Sequence, residues 1–480
     1  MGVPASCGDV VWHRRRRKVP PWRTSLVGLE VEQVHRVRVR SLRVLVVLLA
    51  LLIAGCSSQP EGAAPGGASS GDAAQQVSIT FWTAPNPTQE KFWREMADAY
   101  MAEHPNVKIE VAPIPESPSS EAGILTALSS GTKLTASENV FSGFGAQLAS
   151  NDAIVPLDTL PGFEELVQQR KMDGLIEGWR FADGHIYILP IYSNAMLYGW
   201  RMDILRELGY EEPPRTYGEI LELAEKLRSI DGDRFLLARK VLIEPQAWWE
   251  RWFDTFTLHY AASDGKPFLE GNQLAADERA FVEVLRFYGE LAKRDAILTR
   301  DVTDPFETGV AVWAPIGPWT LPYWKEKYPD LKVGEQVVFT PPPVPDGMPA
   351  GAATKTFADA KGVVIYRHAS EAEQQAAWEF IRWVFSNPEN DVKWFEATNM
   401  PPARGDLAEN PAFKDVIART PGLEAYAKAV PTAVPPMAHP NFEELHRLIG
   451  EQALAPVVQG QKNPEQAWQD LRRAIEEAIR

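Results

Sequence analysis

The stretch Val77–Val111, VSITFWTAPNPTQEKFWREMADAYMAEHPNVKIEV, decides the fold class. Its first residues, Val77-Ser78-Ile79-Thr80-Phe81-Trp82, are β-branched and aromatic, as a strand requires. Pro85-Asn86-Pro87-Thr88 then turns the chain into a helix over Gln89–Glu103, with Phe92, Met96 and Tyr100 at helical spacing. His104-Pro105 ends that helix, and Val107-Lys108-Ile109-Glu110-Val111 alternates as a second strand. Strand, helix, strand within 35 residues implies a parallel sheet with helical crossovers. A helix over Ala122–Ser130 and an apolar stretch, Asn139–Gly145, continue the pattern, with Phe144 at a strand end.

Upstream, Ser57–Gln76 (SSQPEGAAPGGASSGDAAQQ) has nothing to bury and reads as a flexible tether. Twenty such residues reach about 25 Å. Before it, Arg36, Arg38, Arg40 and Arg43 precede the uncharged run Val44–Ala54. Eleven residues are too few for a bilayer core, which needs about 20, and suit the apolar region of an export signal. The run ends in Ile53-Ala54-Gly55-Cys56, which resembles the bacterial lipobox. That resemblance implies an acylated Cys56 as the new first residue of a 425-residue chain, exported and tethered by lipid to the outer face of the cell membrane or in the periplasm. The run Arg14–Lys18 lies too far upstream to serve this signal, so residues 1–38 are expected to be an extension, with the true start near Val37 or Val39.

Removing residues 1–55 takes away ten Lys/Arg and three Asp/Glu, which moves the net charge from −15 to −22. So acidic a chain is a poor match for nucleic acid or a polybasic membrane contact. Cys7 is lost with the signal and Cys56 carries lipid, so neither disulfide nor thiolate metal site is available. Stability has to come from packed cores.

Downstream, Asp183-Gly184-His185-Ile186-Tyr187-Ile188-Leu189-Pro190 is followed by Leu197–Leu205 (LYGWRMDIL), Gly209 and Pro213–Glu219 (PPRTYGE). Thr216 and Glu219 also form a capping box for the next helix. Trp313–Trp319 (WAPIGPW), the strand Lys361–Tyr366, the helix Glu371–Ser386 and the closing Gly460–Ala467 segment follow in order. This succession resembles the extracellular solute-binding proteins of ABC importers, in the sugar-binding, maltose-binding-protein-like family. The resemblance covers residues 77–480 and rests on the order of its motifs. It implies an α/β, two-lobed periplasmic-binding-protein type II fold, each lobe a mostly parallel sheet flanked by helices. One lobe would take 77–190 plus 361–400, the other 195–352 plus 405–480. Crossovers near Leu189–Asn194, Ala353–Ala360 and Asn399–Arg404 would form the hinge.

The resemblance further implies a monomeric receptor that holds a sugar or oligosaccharide between the lobes and passes it to a membrane permease, without cofactor or metal. A polyol phosphate such as glycerol 3-phosphate is the alternative ligand, and a carbohydrate-active envelope enzyme the alternative class. Against the enzyme, the sequence has no Gly-x-Ser-x-Gly, His-Glu-x-x-His, Walker A or Gly-x-Gly-x-x-Gly motif, and its eight histidines are scattered. No catalytic residue is assigned.

Sixteen tryptophans suit the apolar faces of sugar rings. Trp82 ends the first strand, where parallel sheets bind ligands. Trp319, with Gly317 in the Gly-Pro-Trp loop, is the leading stacking candidate, and Trp248 and Trp249 follow Glu244-Pro245. Tyr192 and Asn194 follow the Leu-Pro strand end. Asp359 and Arg404 lie in the second and third crossovers and could grip vicinal hydroxyls. The chain departs from the family at Thr135–Val140, which lacks the usual Pro-Asp. It departs again at Gly199-Trp200, in place of an asparagine, and at Pro436–Phe442, in place of a ligand tryptophan.

Overall fold

The computed structural model describes residues 76–115 and 119–480. The lipobox, Cys56, the tether and the basic run at 14–18 lie outside the described residues. The β-α-β opening is present: strand β1 (Val77–Thr83), helix α1 (Pro87–Glu103) and strand β2 (Val107–Pro113), with β1 and β2 parallel in unbroken register. α1 begins two residues before the expected start because Asn86 caps it. The Asn86 side chain accepts from the Thr88 and Gln89 backbone N–H groups, and Pro87 has no N–H to leave unpaired. Its inner stripe, Phe92, Trp93, Met96 and Tyr100, is buried against the sheet, with Trp93 4.3 Å from Phe81 between ring centres.

Helix α2 (Ser120–Ser130) leads to strand β3 (Ala136–Val140), parallel to β1, and then to helix α3 (Ser142–Ser150). The expected apolar stretch at 139–145 is thus the end of a strand joined to the start of a helix. Asn139 makes the break, with φ at +67°, in the left-handed region that Asn tolerates.

Strand β4 (Leu189–Ala195) pairs antiparallel with the long strand Thr356–Ile365, which also pairs antiparallel with β3. The resulting sheet has six strands. The long strand shifts register at Gly362 against both neighbours. Only glycine fits there, because a Cβ would lie 2.2 Å from the Leu189 carbonyl oxygen. The third expected crossover runs alongside: the Ser193 N–H donates to Pro401, and Tyr192 bridges Pro402.

Strand β5 (Leu197–Arg201) follows β4 after one residue, yet sits in a separate three-stranded sheet between Trp313–Ile316 and Val337–Thr340. Both pairings are antiparallel, unlike the mostly parallel sheet expected there. The reason is directional: both partners come from far along the chain and return against β5.

Two large cores and a smaller one result. The first gathers residues from β1 to β4, the strand 356–365 and the helix Glu371–Ser386. The second gathers residues 196–313 with the C-terminal helix Pro464–Ala478. The third packs Leu197, Ile316 and Trp324 against Phe395, Leu423 and Tyr426.

Candidate functional site

Side chains alternate along a strand, so on Thr356–Ile365 the residues Phe357, Asp359 and Lys361 share one face. Ala358 and Ala360 face the first core, while Phe357 belongs to the second. Cross-strand partners share a face too, which adds Asn194 opposite Asp359; Tyr192 lies opposite Lys361 with its ring in the first core, stacked on Trp394 at 6.0 Å. An aromatic end and a polar row therefore meet on one strand, where the two main cores adjoin.

The aromatic end is continuous. Trp252 stacks on Phe357 at 5.8 Å between ring centres and 15° between planes. Trp248 packs edge-on against Trp252 at 5.6 Å and against Trp249 at 5.9 Å. On the other side Phe253 lies 6.2 Å from both Phe357 and Trp319. The two ends of this chain, Trp249 and Trp319, are 47% and 40% exposed and are among only four large apolar side chains so exposed in the described residues. Aromatic faces of that size are normally buried for their hydrophobic contribution. Here they are held in the open by partly buried aromatic neighbours, Trp248 and Phe253. The Trp319 ring folds back over Gly317, where an added Cβ would lie 2.1 Å from the indole, so Gly317 has to lack a side chain.

The polar row is unusual in its pairing. Asn194, 1% exposed, donates from Nδ2 to Asp359 Oδ2 at 3.3 Å, and its Oδ1 is buried without a partner. Asp359 is half-buried, and burial raises its carboxyl pKa against the pull of Lys361 and Asn194. Nearby, Glu138 at the end of β3 is 1% exposed and accepts the Ala84 N–H at 2.8 Å. Burial lifts its carboxyl to about 7. Lys361 Nζ donates to Asn139 Oδ1 at 2.8 Å rather than to either acid. The Tyr192 hydroxyl is pushed well above its ordinary value by burial, with both acids adding to the shift.

Some of the candidates lie elsewhere. Arg404 is 4% exposed, and its guanidinium makes four hydrogen bonds within the protein. It donates from Nη1 to Asp391, from Nε and Nη2 to Asp406, and from Nη2 to the Gln169 carbonyl. Arg170 donates to the same Asp391 at 2.8 and 3.0 Å. Arg404 is therefore a strut that ties the third crossover to the first core, with four of its five N–H donors committed within the protein. Phe144 is corrected as well: it lies inside α3, 1% exposed in the first core. Trp82 is 9% exposed and belongs to that core, beside Ser137 of β3. Three groups were not anticipated as site residues, namely Phe253 with Phe357, Glu138 and Lys361. The two-residue alternation Phe357-Asp359-Lys361 is their sequence signal. Glu138 carries none, because its burial is a tertiary fact.

A family model described as bacterial extracellular solute-binding protein matches residues 95–423. The chain belongs to this family. A crystal structure of an uncharacterized protein from Listeria monocytogenes EGD-e is 45% identical, covers 84% of this chain and all of that one, and superposes with a TM-score of 0.82. The cyclic alpha-maltosyl-1,6-maltose binding protein of Arthrobacter globiformis is 19% identical with a TM-score of 0.70, over 84% of this chain and 99% of that one. In sequence, the maltotriose-binding protein of Pyrococcus abyssi is 24% identical over 330 residues, which is 65% of this chain and 63% of that relative. The match thus spans less than two thirds of that relative's length. The fold is that of type II periplasmic binding proteins. As a member of an extracellular family the protein is exported, and among its described residues no helix is long and apolar enough to cross a membrane.

Proposed function

We propose that this solute-binding protein is the receptor of an ABC importer and captures a sugar or oligosaccharide between two lobes. One lobe comprises residues 77–190 plus 361–400 and the other 195–352 plus 405–480. The single observation that carries the ligand class is the aromatic chain that ends in two exposed tryptophans, Trp249 and Trp319. Apolar ring faces held out to water suit the C–H faces of sugars, and the polar row of Tyr192, Asn194 and Asp359 suits their hydroxyls. The maltotriose-binding relative supports the same class. A polyol phosphate is less well served: the only cation in the polar row is Lys361, opposed by two acids, and Arg404 is committed elsewhere.

In this reading β4, the strand 356–365 and the segment 399–404 act as the hinge, and closure around the ligand presents the protein to its permease. Cys56 carries the lipid anchor, Ser57–Gln76 provides the reach, and the chain acts as a monomer that binds without turnover. The test is a thermal-shift and tryptophan-fluorescence screen of saccharides and polyol phosphates on the mature chain, because a ligand that binds only the folded state raises the melting temperature. A saccharide that raises the melting temperature and is recovered unchanged is the expected result. A response to polyol phosphates alone, or turnover of a glycoside, refutes the reading.

A further inference from the structure

The exposed Trp249 ring hangs from the peptide bond that joins Trp248 to Trp249. A peptide unit is planar, so holding the Trp248 carbonyl oxygen fixes the plane that carries the Trp249 Cα. Two side chains four positions apart on the helix Phe442–Leu448 converge on Trp248. The Phe442 ring meets the Trp248 ring edge-on, at 5.3 Å between centres. His446 reaches the Trp248 carbonyl oxygen through Nδ1, at 3.3 Å. A carbonyl oxygen can only accept, so Nδ1 carries the proton and Nε2 does not. The segment they hold, Trp248–Trp252, is a 3₁₀ helix of five residues, long for a form whose own hydrogen bonds are poorly aligned.

The imidazole is an unfavourable choice for its surroundings. His446 is 1% exposed, and its ring centre lies 5.0 Å from that of Phe256, 5.4 Å from Trp252 and 5.9 Å from Trp248. Its Nε2 is buried without a partner among the described residues. Burial keeps the ring neutral, lowering its pKa to about 3. In an aromatic nest of this kind an apolar side chain would pack as well and leave no nitrogen unsatisfied. What the imidazole adds is one N–H, aimed at the peptide bond between two tryptophans.

We propose that His446 is a positioning residue for saccharide capture: its Nδ1–H, with the Phe442 ring beside it, sets the orientation in which Trp249 meets the ligand. This rests on the saccharide reading above and adds how one end of its aromatic chain is aimed.

The experiment separates stability from binding with two substitutions in the mature chain, each checked for folding by far-UV circular dichroism and titrated with maltotriose and with any saccharide the screen finds to bind more tightly. His446→Leu keeps an apolar filling and loses the donor. Its melting temperature is expected to stay close to the wild type, since the lost bond is offset by removal of the unpartnered nitrogen, while affinity falls about fivefold, the scale of one neutral hydrogen bond. His446→Asn keeps an N–H at the place of Nδ1 and loses the ring. It is expected to melt lower, through the cavity left beside Trp252 and Phe256, and to hold its affinity within about twofold. A double-mutant cycle tests the route: in a Trp249→Ala background, His446→Leu should cost no further affinity. A folded Leu variant that melts lower and binds as the wild type does would make His446 a core residue only and overturn the proposal. An equal loss of affinity with and without Trp249 would overturn it too, and neither result touches saccharide capture. A wild type that binds neither maltotriose nor any other saccharide removes both readings together.

Discussion

Two clusters of acids and bases in this protein are built from the same residue types and do opposite jobs. In one, Asp391 is enclosed by Arg170 and Arg404, with Asp406 completing the second arginine. Every charge has a partner of matching geometry, and the cluster ties the segment Asn399–Arg404 to the first core. In the other, Glu138 and Asp359 each lie within the field of Lys361 without an ion pair. A buried acid that is fully paired is a structural bolt, and removing one side leaves an uncompensated charge. A buried acid left without a cation is an unmet electrostatic demand, which something entering the site can meet.

The sharpest way to break the comparison is Asp391→Ala, which strands Arg170 and leaves Arg404 with Asp406 alone. It is expected to destabilise the fold by about 3–5 kcal/mol, read as a large loss in denaturant midpoint. A loss no larger than that of a surface mutation would erase the distinction between the clusters.

Next in size is the pH behaviour of Glu138. Its carboxyl is raised from an ordinary 4.5 to about 7, so the folded state holds the proton more tightly than the unfolded chain. Stability from this group is full below 4.5 and falls as pH rises through about 7, by roughly 3 kcal/mol over the window. Glu138→Gln should flatten that decline relative to the wild type. Parallel melting-temperature profiles between pH 4 and 8 would show the assignment to be wrong.

Trp319→Ala addresses the aromatic end of the same face. Because the ring is 40% exposed, truncation should leave the melting temperature nearly unchanged. Saccharide affinity should fall about tenfold, roughly 1.5 kcal/mol. Unaltered affinity by fluorescence titration would remove Trp319 from the site. The smallest effect is expected from Lys361→Met. Lys361 pulls both acids downward, so its loss should move the Glu138 midpoint further up, by a fraction of a pH unit in a side-chain NMR titration. A downward move would contradict the placement of Lys361 beside the acids.

Much of the fold was legible because it is written locally. The strand at Val77, the Asn86–Pro87 helix start and the Thr216–Glu219 capping box depend on residues within a few positions of one another. The helix Glu371–Ser386 appears with the bounds read from its pattern. The candidate site was legible only in part. Trp319, Trp248 and Trp249 announce themselves as aromatics next to turn residues, and they do join one aromatic chain. Arg404 looked equally eligible, since a lone arginine in a crossover carries no mark of its partners. Asp391 and Asp406 decide its role, and Asp391 comes from another element.

By itself, then, the sequence determined the local elements, their order and the family to which that order belongs, because capping, periodicity and turn chemistry act over a few residues. Tertiary structure alone decided that the deeply buried charges Asp391 and Arg170 are paired. The Asp391 cluster depends on bringing Arg170 and Arg404 together from distant parts of the chain, and the polar row depends on the register between β4 and the strand Thr356–Ile365. The same register sets Asn194 against Asp359, and leaves one face of a single strand aromatic at Phe357 and acidic two residues on.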